Sequence, residues 1–234
     1  MVRLFCFPYG GSGSLGYRRW TRSLPAGIEL VPVPVPGREA RFTEEPYTRV
    51  EPLARDLADR LDTSIPFVFF GHSFGALAAF ELARLLRRQG RKTPEALLIS
   101  GLPAPQLQRQ RPHIAHLPDP ELVTALRDQF DLTDELLQTP ELLEMVLPIM
   151  RADFAVVESY EYREEPPFDF PLRVFGGLSD PEATREELEG WQKQSTRPVS
   201  VRMFPGGHFF LNTSEEFLPA LSAALRETLG PRLQ

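Results

Sequence analysis

An apolar run, Pro66-Phe67-Val68-Phe69-Phe70, leads through Gly71-His72-Ser73-Phe74-Gly75 into an alanine-rich stretch with helical periodicity up to Leu86. The run is the length of a short buried strand, and the periodic stretch predicts a helix from Phe74 onward. A chain that passes from strand to helix at Ser73 must turn sharply, and the flanking glycines permit that turn. The serine hydroxyl is then pushed out of the sheet edge at a helix N-terminus, where negative charge is favoured. A five-letter Gly-x-Ser-x-Gly match is weak alone. The strand before it and the helix after it give it weight.

A serine hydroxyl needs a base and an orienting acid to act as a nucleophile at neutral pH. The chain has four histidines. His72 adjoins Ser73 and points elsewhere, so it reads as packed scaffold; His113 and His116 fall in a proline-rich connection, as surface or lid residues. His208 follows the strand-like run Val199–Phe204 and sits in the turn Pro205-Gly206-Gly207-His208. It is the expected base, with a loop histidine capping a helix as the plainer reading. On the α/β-hydrolase fold the acid lies between serine and histidine in the chain. The strand end after Ala96–Ser100 continues as Gly101-Leu102-Pro103-Ala104-Pro105 and holds no carboxylate, whereas Gly176-Gly177-Leu178-Ser179-Asp180-Pro181 offers Asp180. Asp180 is the expected acid, and it can also cap the helical stretch opened by Pro181-Glu182. Asp169 and Glu182 are the alternatives.

Acyl transfer also needs donors for an oxyanion. The backbone N–H of Phe74, directly after the serine, is one. The other is expected in the glycine-rich loop after the first strand, Phe7-Pro8-Tyr9-Gly10-Gly11-Ser12-Gly13. Gly10 is the first choice, with Tyr9 and Gly11 close behind. As a phosphate cradle this loop lacks the Gly-Lys-Ser/Thr ending of a P-loop and the spacing of a dinucleotide fingerprint.

Strands are predicted near 2–7, 28–35, 66–70, 95–100, 171–176 and 199–204, and helices near 16–24, 50–62, 74–89, 185–193 and 214–229. This alternation implies an α/β fold: a mostly parallel sheet of about six to seven strands with helices on both faces. The loops bearing Ser73, Asp180 and His208 then share one edge. Pro32, Pro34 and Pro36 alternate with Val31, Val33 and Val35, so their missing N–H groups fall on one side of a strand; that strand belongs at an edge or leaves the sheet early. The absence of an antiparallel hairpin before the first strand would also put it at an edge. The connection from Gly101 to Asp169 is too long for a structureless loop. Its apolar residues, Leu122, Leu126, Phe130, Leu136, Leu142, Leu143, Val146, Leu147, Met150, Phe154 and Val157, recur at helical spacing. They predict a helical lid over about 113–165, or else an ordinary helical layer. Arg151 and Asp153 within it read as an internal salt bridge or as substrate contacts.

Residues 1–234 fit a single domain with a sizeable core. A net charge of −6 argues against sequence-independent nucleic-acid binding. The one cysteine, Cys6, lies in the first apolar run and reads as a small buried residue; a cytoplasmic protein is the natural expectation. No signal-peptide core and no span of bilayer length are present, so no membrane association is expected. No Cys/His cluster has metal-ligand spacing, so no metal is expected.

The chain resembles the bacterial type II thioesterases that accompany nonribosomal peptide synthetases and polyketide synthases. The resemblance rests on Phe7-Pro8-Tyr9-Gly10-Gly11-Ser12, Pro36-Gly37-Arg38-Glu39-Ala40-Arg41, Gly71-His72-Ser73-Phe74-Gly75, Leu147-Pro148-Ile149-Met150-Arg151-Ala152-Asp153-Phe154 and Gly206-Gly207-His208-Phe209-Phe210. The blocks span nearly the whole chain in family order. Tyr9-Gly10 stands where the family commonly has His/Phe-Ala, and Phe74 where it commonly has Met. The resemblance implies hydrolysis of acyl or aminoacyl thioesters on the phosphopantetheine arm of acyl or peptidyl carrier proteins, which removes misprimed or stalled groups. Phosphopantetheine is then part of the substrate, and no cofactor is expected. A monomer is expected, with Tyr9 and Phe209 near the substrate. Arg18, Arg19, Arg38 and Arg41 follow strand ends on the catalytic side and are expected to help seat an acidic carrier. The run Arg84, Arg87, Arg88, Arg91 and Lys92 instead complements a helix C-terminus. A small-molecule carboxylesterase or lipase would use the same triad, a chain-releasing thioesterase would share the chemistry, and a non-catalytic binding module would share the fold.

Overall fold

Alternate residues of the predicted strands pack to opposite faces of one sheet, as the twofold strand repeat requires. The computed structural model describes residues 1–107, 112–130 and 139–233. Six strands are present: β1 (Val2–Phe7), β2 (Ile28–Pro32), β3 (Phe67–His72), β4 (Leu97–Ser100), β5 (Leu172–Gly177) and β6 (Ser200–Phe204). Their order is β2-β1-β3-β4-β5-β6, and every neighbouring pair is parallel. The α/β-hydrolase expectation holds.

Phe5 and Phe7 of β1 and Phe67 and Phe69 of β3 face α1 (Val50–Arg60) and α2 (Phe74–Arg88) in one core, which Trp191 and Leu188 complete. Leu4, Cys6, Val68 and Phe70 face the other way. There they meet Tyr17 and Trp20 of a 3-10 helix (Leu15–Ser23) and Phe217, Leu221 and Leu225 of α7 (Phe217–Leu229). Each such large apolar side chain contributes about 1.5–3 kcal/mol when fully buried. Two apolar faces on one sheet leave it nowhere to be stable except between two helical layers.

The proline-bearing strand β2 lies at the edge, with Cys6 opposite Pro32 and the Val33 N–H still bonded to the Cys6 carbonyl at 3.0 Å. The missing N–H groups of Pro32, Pro34 and Pro36 therefore cost no ladder to a further strand. The predicted helix over 185–193 is two short pieces, α5 (Arg185–Glu189) and a 3-10 turn (Gly190–Gln194). That over 214–229 is preceded by a one-turn α6 (Phe210–Thr213).

Between β4 and β5 the described chain forms α3 (Asp119–Phe130) and α4 (Pro140–Glu158). Ile114, Leu122, Leu126, Leu147 and Met150 make a small apolar cluster separate from the two that flank the sheet. Val156 ties the far end of α4 into the main core. Of the span read as a lid, residues 131–138, with Leu136, lie outside the described residues. Arg151 and Asp153 do not pair with each other, since residues two apart on a helix face different ways. Arg151 donates to the Leu117 carbonyl at 2.6 Å and to Asp119 at 2.6 Å, while Asp153 meets Arg38.

The arginines at the end of α2 have a specific partner beyond the helix end. Arg84, Arg87 and Arg88 reach Glu165 at 2.9, 2.8 and 2.5 Å. Among the described residues no helix is long and apolar enough to cross a membrane.

Candidate active site

From Phe67 to Arg84 every residue is buried except Ser73, which is half-buried. The strand-to-helix turn is the reason. Ser73 has φ 52° and ψ −119°, outside the regions an L-residue ordinarily adopts. Such strain persists only where the surroundings impose it. Here the Ser73 N–H donates to the Ser100 carbonyl at 2.8 Å, and its own carbonyl accepts from Ala76 and Leu77 at 2.9 and 3.2 Å. The glycines on either side answer to contact distances. A Cβ on Gly71 would lie 2.2 Å from the Gly75 carbonyl oxygen, and one on Gly75 would lie 2.4 Å from that of Pro8. Gly75 thus lets the loop after β1 lie directly against the first turn of α2. That contact brings the loop bearing Gly10 close to the Phe74 backbone.

Asp180 and His208 come from neighbouring strand ends. The Leu178 N–H donates to the Phe204 carbonyl at 2.8 Å and the Ser179 N–H to that of Gly206 at 3.0 Å, which binds the two loops to each other. His208 donates from Nδ1 to Asp180 Oδ2 at 2.9 Å, with both side chains out of solvent. A carboxylate can only accept, so this bond fixes the proton on Nδ1 and leaves Nε2 as the basic nitrogen. The other Asp180 oxygen accepts from the Glu182 N–H at 2.8 Å. Asp180 is therefore the acceptor of a short local turn and the partner of His208 at once; the helix it was expected to cap starts only at Arg185, with Thr184 as its cap. Of the alternatives, Asp169 is exposed just before β5, at the opposite end of that strand from Asp180, and Glu182 contributes its backbone to Asp180.

His72 is wholly buried, shares a 2.9 Å hydrogen bond between Nδ1 and Ser100 Oγ, and lies 4.7 Å from the His208 ring, centroid to centroid. Burial first, and then the nearness of His208, hold its pKa well below the ordinary histidine value. It is a neutral wall against which His208 packs. Tyr9 and Phe209 flank the two histidines, their rings 5.2 Å apart, with Tyr9 5.8 Å from His72 and Phe209 5.3 Å from His208.

Two of the expected surface cations are turned inward. Arg38 is buried and forms a two-point fork with Asp153, Nη1 to Oδ2 at 2.8 Å and Nη2 to Oδ1 at 2.7 Å. Arg41 is buried between Glu44 and Asp56, at 2.5 and 2.6 Å. Neither presents charge to a docking partner. The reason is that the turn after Pro36 folds back onto the body of the protein, where carboxylates await both. Arg18 and Arg19 remain exposed.

Gly11 is also accounted for. Its N–H donates to Asp153 Oδ2 at 2.9 Å, which leaves Gly10 and Tyr9 as the loop's candidate donors. In the sequence Asp153 read with Arg151 as an internal salt bridge or a substrate contact, and its actual partners, Arg38 and Gly11, were not legible. Burial pushes its carboxyl above its ordinary value, while Arg38 and the Gly11 N–H pull it down. Among the described residues no cluster of His, Cys, Asp and Glu is arranged to hold a metal ion.

Residues 2–225 match the thioesterase domain family. The gramicidin S biosynthesis protein GrsT of Aneurinibacillus migulanus is 38% identical over 235 residues, covering 99% of this chain and 92% of that protein. RedJ, a thioesterase from the prodiginine biosynthetic pathway in Streptomyces coelicolor, superposes with a TM-score of 0.89 at 38% identity, over 97% of this chain and 90% of its own. YbtT, a type II thioesterase from the yersiniabactin NRPS/PKS biosynthetic pathway, does so with a TM-score of 0.81 at 30% identity, over 99% and 93%.

Proposed function

Because the chain belongs to the thioesterase domain family and hydrolyses thioesters, we propose that it cleaves acyl or aminoacyl groups from the phosphopantetheine arms of carrier proteins in a nonribosomal peptide or polyketide pathway. The observation that carries the reading is the buried 2.9 Å contact between His208 and Asp180, in a protein that also holds a half-buried Ser73 at a strained turn. The relatives from gramicidin S, prodiginine and yersiniabactin pathways support the choice of substrate class.

In this mechanism His208 Nε2 takes the proton of Ser73 as its oxygen attacks the thioester carbonyl. Asp180 keeps the imidazole in the right tautomer and stabilises its cationic form. The N–H groups of Phe74 and Gly10 donate to the developing oxyanion, aided by the N-terminus of α2. The pantetheine thiol leaves with the proton from His208. The same imidazole then activates a water molecule, which releases the acid and restores Ser73. Pantetheine enters only as part of the substrate.

The helices α3 and α4 serve as a lid over this site, in a single domain. Met150 and Asp153 of α4 reach the loop that carries Gly10, which supports that role. The carrier docks at the rim formed by Arg18 and Arg19, whose charge complements an acidic partner on an enzyme that is itself acidic. Arg19 bonds to Asn212, whose amide lies 3.5 Å from the Tyr9 hydroxyl, so this rim adjoins the site. The enzyme works in the cytoplasm as a monomer, beside the synthase that it serves.

The test is a phosphopantetheinylated carrier loaded with acetyl, longer acyl or aminoacyl groups, with release followed by intact-protein mass spectrometry. Release by the wild type and not by Ser73→Ala, faster than cleavage of a nitrophenyl ester, is the expected result. Ester cleavage with the carrier untouched would make the protein a small-molecule esterase.

A further inference from the structure

The turn that carries Gly10 has two glycines at its centre, and such a turn has little to hold it in one form. Ser12 closes it by donating from its N–H and from Oγ to the Tyr9 carbonyl, at 3.0 and 2.9 Å. Gly11, at φ +73°, gives it the conformation that places a left-handed residue third. A peptide between two glycines flips easily to the alternative turn, and closure by Ser12 is compatible with both. Something else must set which way the amides point.

That something comes from α4. Asp153 Oδ2 accepts the Gly11 N–H, the central amide of the turn, at 2.9 Å. Met150, one helical turn earlier, occupies the space beside Gly11, where a Cβ would lie 2.5 Å from its Cγ. Arg38 in turn fixes Asp153 through the two-point fork and donates to the Ser12 carbonyl at 2.9 Å. Its guanidinium also lies 5.9 Å over the ring of Phe74. Arg38 thus touches the loop that holds Gly10 and the residue that supplies the second N–H. The next residue, Glu39, secures the far side of the loop by accepting from Ser14 Oγ at 2.9 Å and the Leu15 N–H at 2.8 Å.

We infer that Asp153 and Arg38 are positioning residues for the oxyanion hole: by fixing the Gly11 N–H and the Ser12 carbonyl they hold the Tyr9–Ser12 turn in one form, and with it the Tyr9–Gly10 peptide, so that the Gly10 N–H faces the reacting carbonyl. The inference rests on the proposed reading of Ser73 as nucleophile with Gly10 and Phe74 as oxyanion donors. Neither positioning residue needs to touch substrate; both act through Gly11, Ser12 and Phe74. Loss of orientation weakens binding of the transition state and leaves ground-state binding alone, so it lowers kcat and not the affinity for substrate.

The experiment compares the wild type, Asp153→Asn and the double variant Arg38→Met/Asp153→Leu on an acyl-pantetheine thioester. The double variant replaces both charges by apolar groups of similar shape, an exchange that buried ion pairs commonly tolerate. Each protein is checked by circular dichroism and melting. Inhibition is measured with an acyl trifluoromethyl ketone, which mimics the tetrahedral state, and with the product carboxylic acid. The expected result is a kcat about 10- to 100-fold lower in the double variant, less than loss of a whole donor costs. KM should stay within about threefold, ketone affinity should fall by the same factor as kcat, and affinity for the acid should be unchanged. Asp153→Asn, which retains an acceptor for Gly11, falls between. Unchanged kcat in either folded variant, or a loss confined to KM, overturns the inference. Fluorophosphonate labelling of Ser73 and inactivity of Ser73→Ala show in the same series that the underlying reading stands. If those two fail, the reading falls with the inference; if they hold and kcat does not move, the inference alone falls.

Discussion

The carboxylate of Asp180 meets Nδ1 of His208 at 2.9 Å across 28 residues of chain, because β5 and β6 lie side by side and their exit loops are bonded to each other. Gly177 allows that approach: a Cβ there would lie 2.2 Å from the Gly207 carbonyl oxygen. The contact is thus built by the backbone before either side chain is placed.

Asp180→Asn separates the two jobs of this residue. An asparagine still accepts from the Glu182 N–H, so melting should move little, whereas it favours the wrong imidazole tautomer. The expected loss in kcat is about 10³- to 10⁴-fold. Asp180→Ala should lose activity similarly and also lose about 1 kcal/mol of stability as the hydrogen bond from the Glu182 N–H disappears. Steady-state turnover and urea unfolding of both variants check this.

Adjacent glycines in the loop after β1 should respond oppositely to one methyl group. At Gly10 a Cβ would meet nothing nearer than the Asp153 Cβ at 3.8 Å, so Gly10→Ala should retain near wild-type turnover. Gly11→Ala forces a left-handed alanine against Met150, a strain of about 1–2 kcal/mol before any clash. It should turn over substrate poorly while still folding. Equal effects of the two substitutions would contradict the described turn.

His72 makes folding pH-dependent in a definite direction. The unfolded chain takes up a proton at His72 near pH 6.5, and the folded chain holds that residue neutral to well below this. Stability is therefore unaffected by His72 above pH 6.5 and falls as pH drops below it, by up to about 1.4 kcal/mol per unit. Urea unfolding across that range should show a shallower acid loss for His72→Gln than for the wild type.

Charge reversal at Arg18 and Arg19 should raise KM for a carrier-bound thioester several-fold. A pantetheine thioester lacking the carrier should respond much less. Added salt should reproduce the effect in the wild type, since exposed charges are screened within about 10 Å at 0.1 M. An equal change with both substrates would place these arginines in another role.

The sheet was readable because its signals are local. Strand β1 falls on the predicted residues 2–7, and the glycines around Ser73 announced a turn that the contact distances explain. The edge position of β2 came from three prolines whose missing donors share a side. Asp180 was reachable by elimination, since only one of two strand ends offered a carboxylate. What stayed hidden was depth and long-range pairing. Arg38 and Arg41 read as surface cations because a chain pattern has no inside, and the partner of Arg38 lies 115 residues away. The bond from Gly11 to Asp153 spans 142 residues. Both blocks drew notice, yet only folding joins them.

The most direct test of Ser73 as the nucleophile is reaction with a fluorophosphonate, with peptide mass spectrometry and assay of carrier-thioester turnover on the same samples. One phosphonyl group per chain is expected, on Ser73, with turnover vanishing in proportion to labelling. Label on another residue, or turnover that survives full labelling of Ser73, would contradict that role.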